Sequence, residues 1–275
     1  MNSDYETGSL YNQVDKTSIT TFRQTHTSTY NNYSRMANIL AQDWIAASIL
    51  TVALFAYFET LGPFFRQFRL DDASLQHPFA YHERVSDTEL YLVSYFLPLA
   101  LIFAAQTTRR RFALKTTPTA PALLGLVLAI AATGITTDVL KVWISNPRPD
   151  FLARCGAKVG TPVAEFVTVE VCTAPLGSMY LADGMKLTPL GHLLVAFAAM
   201  FYVFLWLGAE GRLPGPFWLT EFIRTAPLAV AAYIALSRTQ DYRHHFKDIL
   251  LGLAIGVGGA WLMYKKYHGT PERRE

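Results

Sequence analysis

The chain has 275 residues, of which 51% are hydrophobic and only 16% charged, with a formal net charge of +3. So apolar a composition excludes an ordinary soluble globular domain, and a small charge spread along the chain excludes the concentrated basic stripe of a nucleic-acid binder. Most of this chain belongs in lipid.

In chain order, the first forty residues are rich in Ser, Thr, Asn, Tyr and Gln and poor in aliphatics. Such a segment buries too little apolar surface to offset the entropy of ordering, which predicts a flexible cytosolic tail over 1–42. Asn32-Tyr33-Ser34 matches a glycosylation sequon that a cytosolic location leaves unmodified. Six apolar stretches follow, at about 44–65, 88–106, 120–144, 191–209, 225–236 with a lead-in from Phe217, and 249–264. A helix needs roughly 20 apolar residues to cross a bilayer, so the pattern predicts an all-α bundle of six transmembrane helices over 43–266, or five if the fifth stretch falls short. The first stretch is too long and too far from the N-terminus for a cleavable signal, and is expected to stay as an anchor.

Arg109-Arg110-Arg111 and Lys115 place four cations and no acid between the second and third stretches. Basic short loops stay in the cytosol, and Lys265, Lys266, Arg273 and Arg274 agree for the tail at 267–275. The loop 145–190 and the segment 237–248 then share the lumenal or extracellular face. The two cysteines, Cys155 and Cys172, both fall in that loop. In an oxidising compartment they are expected to pair, at a gain on the order of 3 kcal/mol; the alternative is two free thiols.

Phosphate-suited residues stand at three edges of the apolar stretches. Lys141 ends the third stretch seven residues before Arg148, and Asn146-Pro147 between them breaks the helix so that both cations can turn toward one anion. Lys141 taken alone is also compatible with a cation snorkelling to headgroups. Gly191-His192 opens the fourth stretch, where glycine lets backbone N–H groups approach an anion and an imidazole can protonate a leaving alkoxide. In the third segment, Ser237-Arg238 lead to His244, with Asp248 four residues on and hence on one face if the segment is helical. A carboxylate on one ring nitrogen leaves the other free to attack phosphorus. His245 then points elsewhere.

Lys141 through Arg148-Pro149, Gly191-His192, and Ser237-Arg238 through His244 to Asp248 match in order and spacing the signature of the type 2 phosphatidic acid phosphatase superfamily. The chain resembles its lipid phosphate phosphatase branch over roughly 44–265. Phe68-Arg69-Leu70-Asp71-Asp72, His82-Glu83-Arg84-Val85 and Asn146 to Cys155 look especially like the fungal members that dephosphorylate diacylglycerol pyrophosphate and phosphatidate. The resemblance implies a six-span bundle, a phosphorylated lipid substrate, and hydrolysis through a phosphohistidine with no metal or cofactor. It also implies the roles: His244 as nucleophile, Asp248 as its orienter, His192 as acid, with Lys141, Arg148, Ser237, Arg238, Gly191 and the residue at 190 around the phosphate.

At 190 the chain departs from the family. Leu187, Leu190, Leu193 and Leu194 stand where serines are usual around Gly191-His192, and Leu190 offers only its backbone N–H. A standard-code translation of a gene whose host reads one leucine codon as serine writes such positions as Leu, which the four codons decide. Two further readings stay open: a catalytically silent relative that binds anionic lipid, and a phosphotransferase of related fold.

Overall fold

The computed structural model of the chain describes residues 41–52, 56–57, 60–114, 118–187, 191–210 and 215–269, with the side chains of Asp87, Gly191, His192 and Leu193 outside that description. Apart from 41–42, the expected tail and its sequon lie outside the described residues. The chain divides into two units, Met1–Ala46 and Ala47–Glu275. In the first, 41–46 are helical.

In the second unit the described residues form helices, with only two isolated bridges, Phe68 with Val167 and Ala157 with Cys172. The helices are α1 (Thr88–Arg111), α2 (Thr119–Ile144), α3 (Phe151–Cys155), α4 (Ser178–Met185), α5 (Gly191–Glu210), α6 (Phe217–Gln240) and α7 (Phe246–His268). Among the described residues, four of them, α1, α2, α6 and α7, are long and apolar enough to cross a membrane. In α5 the described apolar run, Leu194–Glu210, is shorter. The first apolar stretch, read as running to 65, is helical at 47–52, 56–57 and 60 and has left the helix by Leu61. Gly62 and Pro63 account for that exit, since glycine weakens a helix and proline removes a backbone donor.

Local chemistry sets the helix ends. Ser86 and Glu89 form a reciprocal capping box at the start of α1, where the Ser86 hydroxyl accepts from the Glu89 N–H and the Glu89 carboxylate accepts from the Ser86 N–H. At the end of α2, Ser145 takes a left-handed conformation with φ 44°. Its hydroxyl lies within hydrogen-bond reach of the Lys141 and Val142 carbonyls at 3.0 and 2.9 Å and accepts from the Phe64 N–H at 3.0 Å. Asn146-Pro147 thus does stop α2, one residue after the turn begins.

Helix α5 is the centre of the bundle. One face, with Val195, Ala198, Ala199, Tyr202, Val203 and Trp206, packs against α1, α2 and α7. The other, with Ala196, Phe197 and Met200, packs against Ala231, Ile234 and Ala235 of α6 and Ile249 of α7. This two-sided burial explains why α5 is apolar around its whole circumference. Leu194 is among its buried residues, and Leu187 is buried just before it.

Helices α5 and α7 approach to backbone distance at Gly256. A Cβ there would stand 2.8 Å from the Leu194 carbonyl oxygen and 3.2 Å from the Ala198 nitrogen, whereas one at Gly258 meets nothing within 4 Å. Gly256→Ala should therefore destabilise the protein by about 1–3 kcal/mol through overpacking. Gly258→Ala should be neutral or stabilising by up to roughly 1 kcal/mol through helix propensity. Unfolding midpoints in detergent check both signs.

The excursion between α2 and α5 shares a small core with the segment before α1, Phe151, Cys155, Leu181 and Met185 packing with Phe68 and Leu75. The expected disulfide, Cys155–Cys172, closes it.

Candidate active site

The third motif segment is built as a turn between two helices. Helix α6 ends with the Arg243 N–H donating to the Arg238 carbonyl and the Tyr242 N–H to that of Thr239, around Tyr242 at φ 54°. This is the Schellman arrangement, with tyrosine where glycine is usual. The Tyr242 ring is held by His77, stacked at 4.4 Å between centroids. The expectation that His244 and Asp248 share a helical face is corrected here, because α7 begins only at Phe246 and His244 lies in the turn. Asp248 caps α7 by accepting from the His245 N–H at 3.2 Å.

The turn brings Arg238, Arg243 and His244 onto one cavity of about 350 Å³, whose walls also carry Arg148, Asp183, Glu83, Phe79 and Tyr180. Arg148 is delivered by its own N–H, which donates to the Gly184 carbonyl at 2.8 Å, while its guanidinium pairs with Asp183 at 2.7 Å. Behind it Arg154 grips Asp150 through two hydrogen bonds of 3.0 and 2.9 Å and reaches Asp183 at 2.9 Å. The aromatic face of Phe79 lies under both Arg154 and Arg243, at 4.9 and 4.6 Å, a cation–π arrangement that steadies two neighbouring positive charges.

Glu83 bridges the two arginines of the turn, with one carboxylate oxygen 2.5 Å from Arg238 and the other 2.5 Å from Arg243. Arg238 donates in addition to the Val85 carbonyl, and Arg84 pairs with the buried Asp241 at 2.8 Å. The segment 83–85 thus clasps the turn at three successive residues.

Burial alone would raise the Asp183 carboxyl. The guanidiniums of Arg148 and Arg154 outweigh it, with a smaller contribution from Lys141, and hold the group below the usual carboxylate range. Burial is also the main influence on His245, pushing its imidazole below the ordinary histidine value against the opposing charge of Asp248.

Of the residues singled out in the sequence, Arg148, Arg238 and His244 share the cavity wall. Lys141 does not line it, although its charge acts on Asp183. Ser237 is not on the wall either: its buried hydroxyl donates to the Ile234 carbonyl at 2.7 Å within α6. Asp248 is buried behind the turn. Gly191 starts α5, and Leu190 and the His192 side chain lie outside the described residues. Sequence reasoning missed Glu83, Asp150, Arg154, Asp183 and Arg243. For Glu83, Asp150 and Arg154 a signal existed, since His82-Glu83-Arg84-Val85 and Asn146 to Cys155 were part of the family likeness.

Helices of membrane-crossing length and apolarity, with a cation-lined cavity at the ends of α6 and α7, define an integral membrane protein built around a buried polar site. The chain belongs to the PAP2 superfamily, whose family model matches residues 122–271, more than half of the 275. It is 39% identical over 210 residues to diacylglycerol pyrophosphate phosphatase 1 of Saccharomyces cerevisiae, covering 74% of this chain and 71% of that protein. To lipid phosphate phosphatase 1 of Arabidopsis thaliana it is 29% identical over 252 residues, covering 88% of this chain and 72% of that one. No solved structure matches the chain.

Proposed function

We propose that this protein is a membrane lipid phosphatase that hydrolyses phosphate from phosphatidate, diacylglycerol pyrophosphate or a related lipid mono- or diphosphate. The observation that carries the reading is the convergence of Arg148, Arg238 and His244, distant in sequence, on one buried cavity. Guanidiniums fixed in a site of low water content stabilise the charge that develops on phosphoryl oxygens, the task a metal ion performs elsewhere. The names of the two relatives support the substrate class.

In this mechanism a ring nitrogen of His244 attacks phosphorus while the bond to the leaving oxygen breaks. His192 protonates that oxygen, and water then cleaves the phosphohistidine to release inorganic phosphate. Arg148 and Arg238 hold the phosphoryl oxygens, and Lys141 adds positive charge from the end of α2. Asp248, buried in the first turn of α7, orients the imidazole. The domain spans the membrane six times over 43–266, from the stretch beginning near 44 through α1, α2, α5, α6 and α7. The cavity faces the lumenal or extracellular side, because Arg109, Arg110, Lys265 and Lys266 mark the opposite helix ends as cytosolic.

Purified protein in detergent micelles is expected to release phosphate from these lipids and to keep doing so in EDTA. Absence of release from phosphatidate, lysophosphatidate, diacylglycerol pyrophosphate, a sphingoid phosphate and an isoprenyl diphosphate would overturn the reading.

Leu190 bears on the rate. A hydroxyl at that position adds one donor to the phosphoryl group, and loss of one such donor typically costs about 10²–10³ in rate. Leu190→Ser should raise phosphate release by about 10²-fold. If the serine variant gains nothing over an already active protein, the backbone amides suffice at this position.

A further inference from the structure

The arginines expected to hold the phosphoryl group are already engaged by carboxylates of the same cavity. Arg148 is paired with Asp183, and Arg238 and Arg243 are bridged by the two oxygens of Glu83. Glu83 offers what a phosphoryl group offers, two anionic oxygens at hydrogen-bond distance from two guanidiniums, and it does so on the wall that carries His244. The bridge is largely withdrawn from water: the side chains of Glu83, Arg238 and Arg243 are 17%, 5% and 8% exposed. Arg243 also keeps its Nε buried with no hydrogen-bond partner among the described residues, so its guanidinium has a donor to spare beyond Glu83.

We propose that Arg243 is a third guanidinium of the phosphate cradle and that Glu83 is its built-in competitor, a resident anion that sets a charge threshold for entry. This rests on the reading of the cavity as a phosphoryl site. A ligand reaching His244 must take over hydrogen bonds that Glu83 makes as part of the chain, with the high effective concentration of a tethered group. A phosphodiester headgroup carries one negative charge, as does the glutamate, so its exchange gains nothing to offset that advantage. A phosphomonoester near two charges, or a diphosphate near three, gains the added attraction of buried guanidiniums at low screening. The bilayer is full of phosphodiester lipids, so an anion site open to it needs such an element working against the wrong ligand. Glu83 therefore selects monoester and diphosphate headgroups over diesters.

Glu83→Gln removes the charge and keeps the shape. With purified protein in mixed micelles, the inhibition constant of phosphatidylglycerol against phosphatidate hydrolysis should fall about tenfold in Glu83→Gln, with a fall in KM for phosphatidate. Inorganic phosphate, followed by its effect on the unfolding midpoint, should likewise bind the variant about tenfold more tightly. Unchanged constants for both phosphatidylglycerol and inorganic phosphate would overturn the proposal. So would a loss of kcat with both affinities unchanged or weakened, which is the signature of a brace that only positions the arginines. Glu83→Asp retains the charge and should stay insensitive to phosphatidylglycerol; sensitivity there would assign the effect to packing and also overturn the proposal. Arg243→Gln should weaken inorganic phosphate binding about tenfold, and an unchanged affinity would remove Arg243 from the cradle. If the unaltered protein hydrolyses none of the lipids, the proposed function fails, and the phosphate-binding comparison still decides the role of Glu83.

Discussion

His244→Ala should abolish lipid phosphate hydrolysis, a loss of about 10⁴-fold or more if its imidazole carries the phosphoryl group. His245→Ala should retain most of the activity. The two residues are neighbours in sequence but differ in setting: His244 is buried on the cavity wall, while His245 is half-buried and stands at the start of α7. The His245 backbone N–H donates to Asp248 at the start of α7, and that bond survives removal of the imidazole. Phosphate release by the two purified variants checks this, and quenching in alkaline detergent, in which a phosphohistidine survives, should trap protein labelled from phosphorus-labelled substrate only where His244 is present. Equal losses in both variants would contradict the assignment.

Asp150→Ala should destabilise the protein by about 3–5 kcal/mol. Arg154 and Asp150 are both fully buried and joined by two hydrogen bonds, so deleting the carboxylate strands most of a guanidinium charge among Phe79, Phe151 and Gly184. Asp183 remains as a partner for Arg154, but it is 42% exposed and already paired with Arg148. The double substitution Asp150→Leu with Arg154→Met removes both charges at similar volume and should recover much of the loss, as buried pairs replaced by apolar residues commonly do. Unfolding midpoints in detergent for the single and double variants give the measurement. A single variant as stable as the parent would show that the pair contributes nothing to the fold.

Much of the site could be read from the sequence because its members sit at fixed short spacings. Arg238 and His244 are six residues apart and end up on one wall because a single turn carries both. The disulfide was legible for a similar reason, since the only two cysteines fall in one loop. What escaped depends on partners far apart in the chain. Glu83 meets Arg238 across a separation of 155 residues, and Arg148 meets Asp183 across 35. No spacing rule reports such pairs, because it is the packing of helices around α5 that closes them. A short motif also leaves side-chain direction open: a hydroxyl inside a helix often turns to the carbonyl one turn back, as that of Ser237 does to Ile234. Five of the six apolar stretches, those of α1, α2, α5, α6 and α7, were legible as helices in their middles. Their ends were less so: Gly62-Pro63 stops the first early, whereas α6 does begin at the lead-in residue Phe217.

The contact at Gly256 bears on how the molecule tolerates insertions and deletions. Helices α5 and α7 meet there backbone to backbone, with no side chain between them to yield. Gly256 lies twelve residues after His244, and Leu194 two after His192. One residue added within an α-helix turns everything beyond it by about 100° and moves it about 1.5 Å along the axis. An insertion between Phe246 and Gly256 would therefore swing the turn bearing His244 away from the cavity while leaving the hydropathy of the span almost unaltered. The length of chain from the His244 turn to the glycine acts as a ruler, so drift in this lineage should be free to exchange apolar residues along α7 and barred from changing their number.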